Sequence, residues 1–222
     1  GERVLKKGDE LDFSGLSILS SLGIEYVNVF CKPKISYFSS GDELVPTGKK
    51  LQQGQIYDSN RYLLHGLLKD LPVDFTDLGI VKDKKIHLVN KLQRASEKSD
   101  IIITTGGVSV GDADYIKDAL SEVGSVGFWK IAIKPGRPLA FGKINNSYFF
   151  GLPGNPVSAA VTFQLFVIPA INRLLSQKRK KMILMKAISK NKLRKKPGRT
   201  EYKRAILSII NNETYVETTG LQ

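Results

Sequence analysis

The 222-residue sequence predicts an α/β protein: a three-layer α/β/α domain on a mostly parallel sheet, followed by an incomplete small β domain. Three observations carry this. Strand-like and helix-like segments alternate from Lys34 to Ser176, as crossover connections require. Asp100-Ile-Ile-Ile-Thr-Thr105 is apolar and β-branched without alternation, the mark of a strand buried on both faces. After Gln177 the chain changes to short β segments between charged or Asn-rich turns. The division is residues 1–33, the remnant of a preceding domain; 34–177, the α/β domain; and 178–222, the truncated β domain.

Taken in order, Gly8 to Leu22 has helical apolar spacing at Leu16, Leu19 and Leu22, and Glu25 to Phe30 reads as a short strand. Ile35 to Ser39 is a buried strand. Asn60 to Leu71 is a helix with Leu63, Leu64, Leu67 and Leu68 on one face, and Val73 to Leu78 is the next strand. A helix over His87 to Ser99 leads into the central strand. Asp114 to Val123 is helical, Gly127 to Ile133 and Pro138 to Phe141 are strands, and Ser147 to Gly151 precedes a long helix from Val157 to Leu175. The tail offers strands at Met182–Ser189, Glu201–Ile210 and Thr214–Thr218, with Asn211-Asn212 as a turn.

Composition excludes several classes. One cysteine, Cys31, leaves no intrachain disulfide framework or cysteine zinc site, and fits a reducing, cytoplasmic setting. Two histidines, His65 and His87, exclude a multi-histidine metal centre. No run of eighteen apolar residues is present, and no charged-then-apolar leader opens the chain, so the expectation is neither membrane span nor export. The net charge of +13 is uneven: −1 over residues 1–33, +4 over 34–177 and +10 over 178–222. No aromatic residues interleave with that basic run, so it reads as solvated linker and strand faces rather than a nucleic-acid platform.

The unusual loops fall at strand ends, where α/β sheets bind ligands. Gly106 and Gly107 follow the central strand, with Ser109 beyond; glycines there allow close backbone approach to an anion, or simply a tight turn. Pro153-Gly-Asn155-Pro156 opens the long helix, aiming Ser158 and the helix N-terminus at the crevice, or making a rigid helix start. Lys130 and Lys134 share a face if they lie on one strand, and Arg137 follows a Pro-Gly turn. Converging, these cations would grip an oxyanion; apart, they are exposed strand lysines. Asp42, Glu43, Asp58, Asp83, Asp112 and Asp114 lie at loop positions. Asp58, Asp83 and Asp112 are also candidates for helix caps, whereas carboxylates beside phosphate-binding loops commonly hold magnesium.

Five motifs in order resemble the molybdopterin molybdenumtransferase family, that of MoeA and the gephyrin E domain. They are Ser40-Gly-Asp-Glu-Leu44, Gly54-Gln-Ile-Tyr-Asp-Ser-Asn60, Thr105-Gly-Gly-Val-Ser-Val-Gly-Asp-Ala-Asp-Tyr115, Lys134-Pro-Gly-Arg-Pro138 and Leu152-Pro-Gly-Asn-Pro-Val-Ser158. The resemblance implies insertion of molybdate into adenylated molybdopterin, with magnesium-dependent release of AMP. It implies Glu43, Asp83 and Asp114 as acidic active-site residues, with Glu43 and Asp114 helping to hold the magnesium. Pro153 and Pro156 match the rigid loop beside the pterin, and Lys134, Arg137, Ser158 and Arg199 the oxyanion site, with Lys130 beside them. Arg137 stands where lysine is common and Ser40 where threonine is common. The family also carries two further N-terminal domains and a fuller C-terminal domain. Its homodimers share active sites between subunits, and contact with the adenylyltransferase is implied. Little turnover is therefore expected from this chain alone. The competing readings are molybdopterin adenylyltransferase, which shares the α/β domain, and a gephyrin-type scaffold.

Overall fold

A computed structural model describes residues 2–107, 115–128, 130–177 and 183–220. Its strands are β1 (Lys34–Ser40), β2 (Leu44–Val45), β3 (Ile56–Tyr57), β4 (Asp74–Val81), β5 (Ile101–Thr105), β6 (Ser125–Phe128), β7 (Ile133–Lys134), β8 (Ala140–Ile144), β9 (Ser147–Leu152), β10 (Ile188–Ser189), β11 (Thr200–Glu201), β12 (Ala205–Ile210) and β13 (Glu213–Thr218). The helices are α1 (Phe13–Ser21), α2 (Asn60–Leu68), α3 (Lys85–Ser96), α4 (Tyr115–Val123) and α5 (Pro156–Leu174).

Six strands form the main sheet in the order β4-β1-β5-β9-β8-β6. The first four are mutually parallel, and β8 and β6 finish the sheet antiparallel. All five residues of β5 are buried, so the sheet needs cover on both sides. Ile101 and Ile103 pack with Tyr37, Leu64, Leu68, Phe163 and Val167 on the face covered by α2 and α5. Ile102 points the other way, against Phe38, Leu88, Leu92, Ile116, Leu120 and Phe149 beneath α3 and α4. The three-layer arrangement thus follows from one strand with no polar face. Arg61 in α2 grips both carboxylate oxygens of Asp77 in β4 at 2.8–3.0 Å, fixing that helix to the sheet edge.

α5 contains a π-helical turn at Phe163–Val167. Pro169 explains it, since proline has no N–H for the usual ladder and its ring crowds the preceding carbonyls. At 19 residues and mean hydropathy 1.4, α5 is long and apolar enough to cross a membrane by length and composition, which the search for an uninterrupted apolar run missed. Here it is a core helix: Ala159, Thr162, Phe163, Val167 and Ile171 are buried against the sheet.

Other expectations fail where pairing partners are missing. Glu25 to Phe30 is not a strand, and Tyr26 is 83% exposed, because no described strand pairs with it to complete a ladder. The expected Gly127–Ile133 strand breaks into β6 and β7, which join different sheets. Glu201–Ile210 breaks into β11 and β12 for the same reason. Of Met182–Ser189 only β10 is strand, with Met182 itself outside the described residues. β10, β13 and β12 form a three-stranded tail sheet, while β11 leaves it to pair with β7.

Because Ile103 is wholly buried at the centre of both the strand and the core, Ile103→Ala should lower unfolding free energy by about 2–5 kcal/mol, read from denaturant midpoints at unchanged slope.

Candidate functional site

The carboxyl ends of β4, β1, β5 and β9 lie in one row, and the sequence-selected loops follow them directly. Lys82 and Asp83 follow β4, Gly41 to Glu43 follow β1, Gly106 and Gly107 follow β5, and Pro153 to Asn155 follow β9. Long hydrogen bonds connect adjacent loops. Gly41 N donates to Val81 O at 3.3 Å, and Asp83 N donates to Asp42 Oδ1 at 3.3 Å.

The glycine turn is set by steric room. Gly106 has φ +82°, and a side chain there would collide with the Ser40 carbonyl. Gly107 has φ +63°, and its added Cβ would lie 2.6 Å from both Ser40 Oγ and Ile116 Cδ1. The β1 and β5 ends can approach this closely only with two glycines. On the other side, a Cβ at Gly154 would lie 3.7 Å from Gly106 Cα, an ordinary contact.

Three carboxylates gather at the β1–β4 end of the row. The Glu43 side chain folds back over Gly41, where an added Cβ would meet its carboxylate at 2.7–2.8 Å. Burial first, then the charges of Asp42 and Glu43, push Asp83 above the usual carboxylate range. Ser40 lies close enough to offset this slightly, yet neither Ser40 Oγ nor Asp83 Oδ1 completes a hydrogen bond of proper geometry. Asp83 does not cap α3, whose N-cap position is Lys84.

The cationic group has a different origin from the one expected. Lys130 and Lys134 do not share a strand, so the same-face argument does not apply to them: Lys130 is in coil, and only Lys134 is in β7. Instead, Ile131 N donates to Arg137 O at 3.0 Å, closing the loop so that Arg137 returns beside Lys130's neighbour. Arg199 arrives from the tail. Thr200 N donates to Ala132 O at 2.9 Å and Tyr202 N to Lys134 O at 2.7 Å, so β11 lies alongside β7. Lys134 Nζ is 4.0 Å from Glu201 Oε1, and Lys203 Nζ is 3.4 Å from the other oxygen, so the cluster contains its own counter-charge.

The glycine turn and the loop carrying Arg137 both abut the start of α5. Gly136 faces Ser158, with its added Cβ 3.7 Å from Ser158 O, while Gly154 faces Gly106. Pro156 occupies the first helical turn and Pro153 is buried. Asn155 is the N-cap, its Oδ1 accepting from Val157 N and Ser158 N at 3.0 and 3.2 Å. Those two amides are therefore satisfied by the protein itself. Ser109 and Asp114 lie outside the described residues.

Sequence reasoning offered Asp58 only as a loop carboxylate or helix cap, yet among the described residues it is the most deeply buried carboxyl. Asp58 is 2% exposed and accepts hydrogen bonds from Ser39 Oγ at 2.9 Å and Arg61 N at 3.3 Å. The helix-cap reading is right as far as Arg61 goes, but the contact with Ser39 is non-local. The available signal was the Asp-Ser-Asn run within the motif ending at Asn60.

The sequence profile described as "Probable molybdopterin binding domain" matches residues 37–173. The chain belongs to that family. It lies on the molybdopterin molybdenumtransferase and gephyrin branch. It is 46% identical over all 222 residues to the molybdopterin molybdenumtransferase of Haemophilus influenzae, covering 55% of that protein. Gephyrin of Dictyostelium discoideum is 39% identical over 202 residues, with 78% of this chain and 28% of gephyrin covered. The crystal structure of the MoeA molybdopterin biosynthesis protein from a Pyrococcus species superposes with a TM-score of 0.76 at 32% identity, covering 98% of this chain and 52% of that one. The chain thus spans about half the length of the molybdenumtransferases it matches.

Two predictions follow from this geometry. Gly106→Ala should destabilise by about 2 kcal/mol or more, while Gly154→Ala, with ordinary contacts, changes stability by less than about 1 kcal/mol; thermal melts compare the two. A carboxyl held above its unfolded pKa adds stability below the ordinary carboxylate range, and that stability is lost as pH rises through the folded value. Asp83→Asn should therefore raise the melting temperature relative to wild type at about pH 7, with the advantage shrinking towards about pH 4.

Proposed function

We propose that this chain is the pterin-binding part of a molybdopterin molybdenumtransferase: it holds adenylated molybdopterin along the row of strand ends, for insertion of molybdate with magnesium-dependent release of AMP. The observation that supports this most is the shared row itself. Four adjacent parallel strands deliver an acidic loop, a side-chain-free glycine turn and a rigid proline loop to one edge. Beside it, the pairing of β11 with β7 carries the backbone at Arg199 to the loop that holds Lys134 and Arg137.

The parts divide by charge. Lys134, Arg137 and Arg199 suit a tetrahedral oxyanion substrate, because guanidinium groups offer paired donors and lysine a point charge. Ser158 and Lys130 flank them. The Gly106-Gly107 turn lets backbone approach the ligand where any side chain would intrude, and Pro153, Asn155 and Pro156 keep the adjoining wall rigid. At the acidic end, Glu43 is a hard oxygen donor of the kind magnesium takes, and its charge is one of those that raise Asp83 beside it. Among the described residues no three such side chains converge as ligands, so the ion's remaining partners would be water, phosphate and Asp114. Bound there, magnesium would neutralise phosphate charge. Asp83, the described carboxyl pushed upward, is the group suited to hold a proton near the departing phosphate.

Calorimetric titration tests the reading: with magnesium present, the chain should bind adenylated molybdopterin in preference to the bare pterin. Preference for the bare pterin followed by ATP consumption would move the assignment to the adenylyltransferase. Arg137→Ala should weaken molybdate binding by about tenfold, the scale of one charge-assisted contact, with the melting temperature unchanged.

A further inference from the structure

We propose that Asp58 is a positioning residue that holds the glycine turn and the proline loop at a set separation: it bonds Ser39 at the end of β1 directly, reaches the end of β5 through Ser39, and is linked to the β9 loop by Asn60 in the same turn. Asp58 precedes α2 and is reached from β1 by the short β2–β3 ladder, in which Asp58 N donates to Val45 O at 3.0 Å. Ser39, near the end of β1, donates its hydroxyl proton to Asp58 Oδ1 at 2.9 Å. Ser39 Oγ is also 2.9 Å from Thr105 Oγ1. A hydroxyl has one proton, so with Ser39's committed to the carboxylate, Thr105 is the donor in the second bond. The chain therefore runs Thr105 to Ser39 to Asp58 and anchors the last residue of β5, immediately before Gly106. Two residues beyond Asp58, Asn60 Nδ2 donates to Gly154 O at 2.8 Å, inside the proline loop. One turn over residues 58–61 thus ties β1, β5 and the β9 loop together.

Burial argues that this is more than a cap. A cap needs one oxygen near solvent, whereas Asp58 is 2% exposed and its second oxygen, Oδ2, is buried without a partner. Burying a carboxyl group carries a desolvation cost, and here the bonds across the strand ends are what offset it. The consequence for ligand binding rests on the reading above, that the pterin lies along these loops. The clamp itself does not depend on it.

Hydrogen exchange on the full chain separates the two. Asp58→Ala should raise exchange together in peptides covering residues 103–107 and 151–155. Asp58→Asn keeps a carbonyl acceptor for Ser39 and Arg61 and should stay within about twofold of wild type. Adenylated molybdopterin should bind at least about tenfold more weakly to the alanine variant and within about threefold to the asparagine variant. If Asp58→Ala does not fold, Ser39→Ala removes the hydroxyl that joins Asp58 to Thr105 but leaves the Asp58–Arg61 and Asn60–Gly154 bonds in place, and should loosen 103–107 while sparing 151–155. The clamp is overturned if Asp58→Ala leaves either loop's exchange unchanged, if Asp58→Asn loosens both as much as alanine does, or if Ser39→Ala leaves 103–107 as protected as wild type. If wild type binds no adenylated pterin, the ligand assignment fails, while the exchange pattern still decides the clamp.

Discussion

Burial of β5 on both faces is the constraint from which the rest descends. Five consecutive residues without an exposed side chain require a parallel neighbour on each side and a helical layer above and below. Because Ile101 and Ile103 serve one core and Ile102 the other, the strand cannot slip by one residue without turning both cores inside out. Register this firmly held places the end of β5, and the glycine turn after it, at a defined point between β1 and β9.

What happens at that point is decided by close approach and by charge. The Ser40 carbonyl occupies the space a side chain on Gly106 would need. Polar side chains then replace apolar packing at the strand ends, with Ser39, Thr105 and Asp58 buried together. Beyond them the surface divides: carboxylates that raise Asp83 on one side, and on the other cations carried by a loop and an incoming strand. The first turn of α5 separates the two. Opposite charges on either side of a rigid wall suit a ligand that has both a phosphate requiring a cation and an anion requiring donors.

The tail contributes through backbone rather than through a core. β12 is largely exposed, but β11 departs from its neighbours to pair with β7 and so carries Arg199 to the lysine loop. Glu201 comes with it and sits between Lys134 and Lys203, keeping like charges from repelling one another in the free protein.

Sequence alone determined the strand and helix alternation, the central position of Ile101 to Thr105, and the loops at which chemistry would lie, because side-chain periodicity and glycine or proline punctuation are local properties. It also determined the family, through motifs whose spacing does not depend on the fold being seen. Only the tertiary structure decided that Lys130 and Lys134 do not share a strand, that Glu25 to Phe30 joins no described ladder, that Asn155 spends its oxygen on its own helix, and that Asp58 is buried in a turn linked to three strand ends. Each of these depends on what lies opposite a residue in space, and hydrogen-bond partners 66 or 94 residues away leave no mark on local pattern.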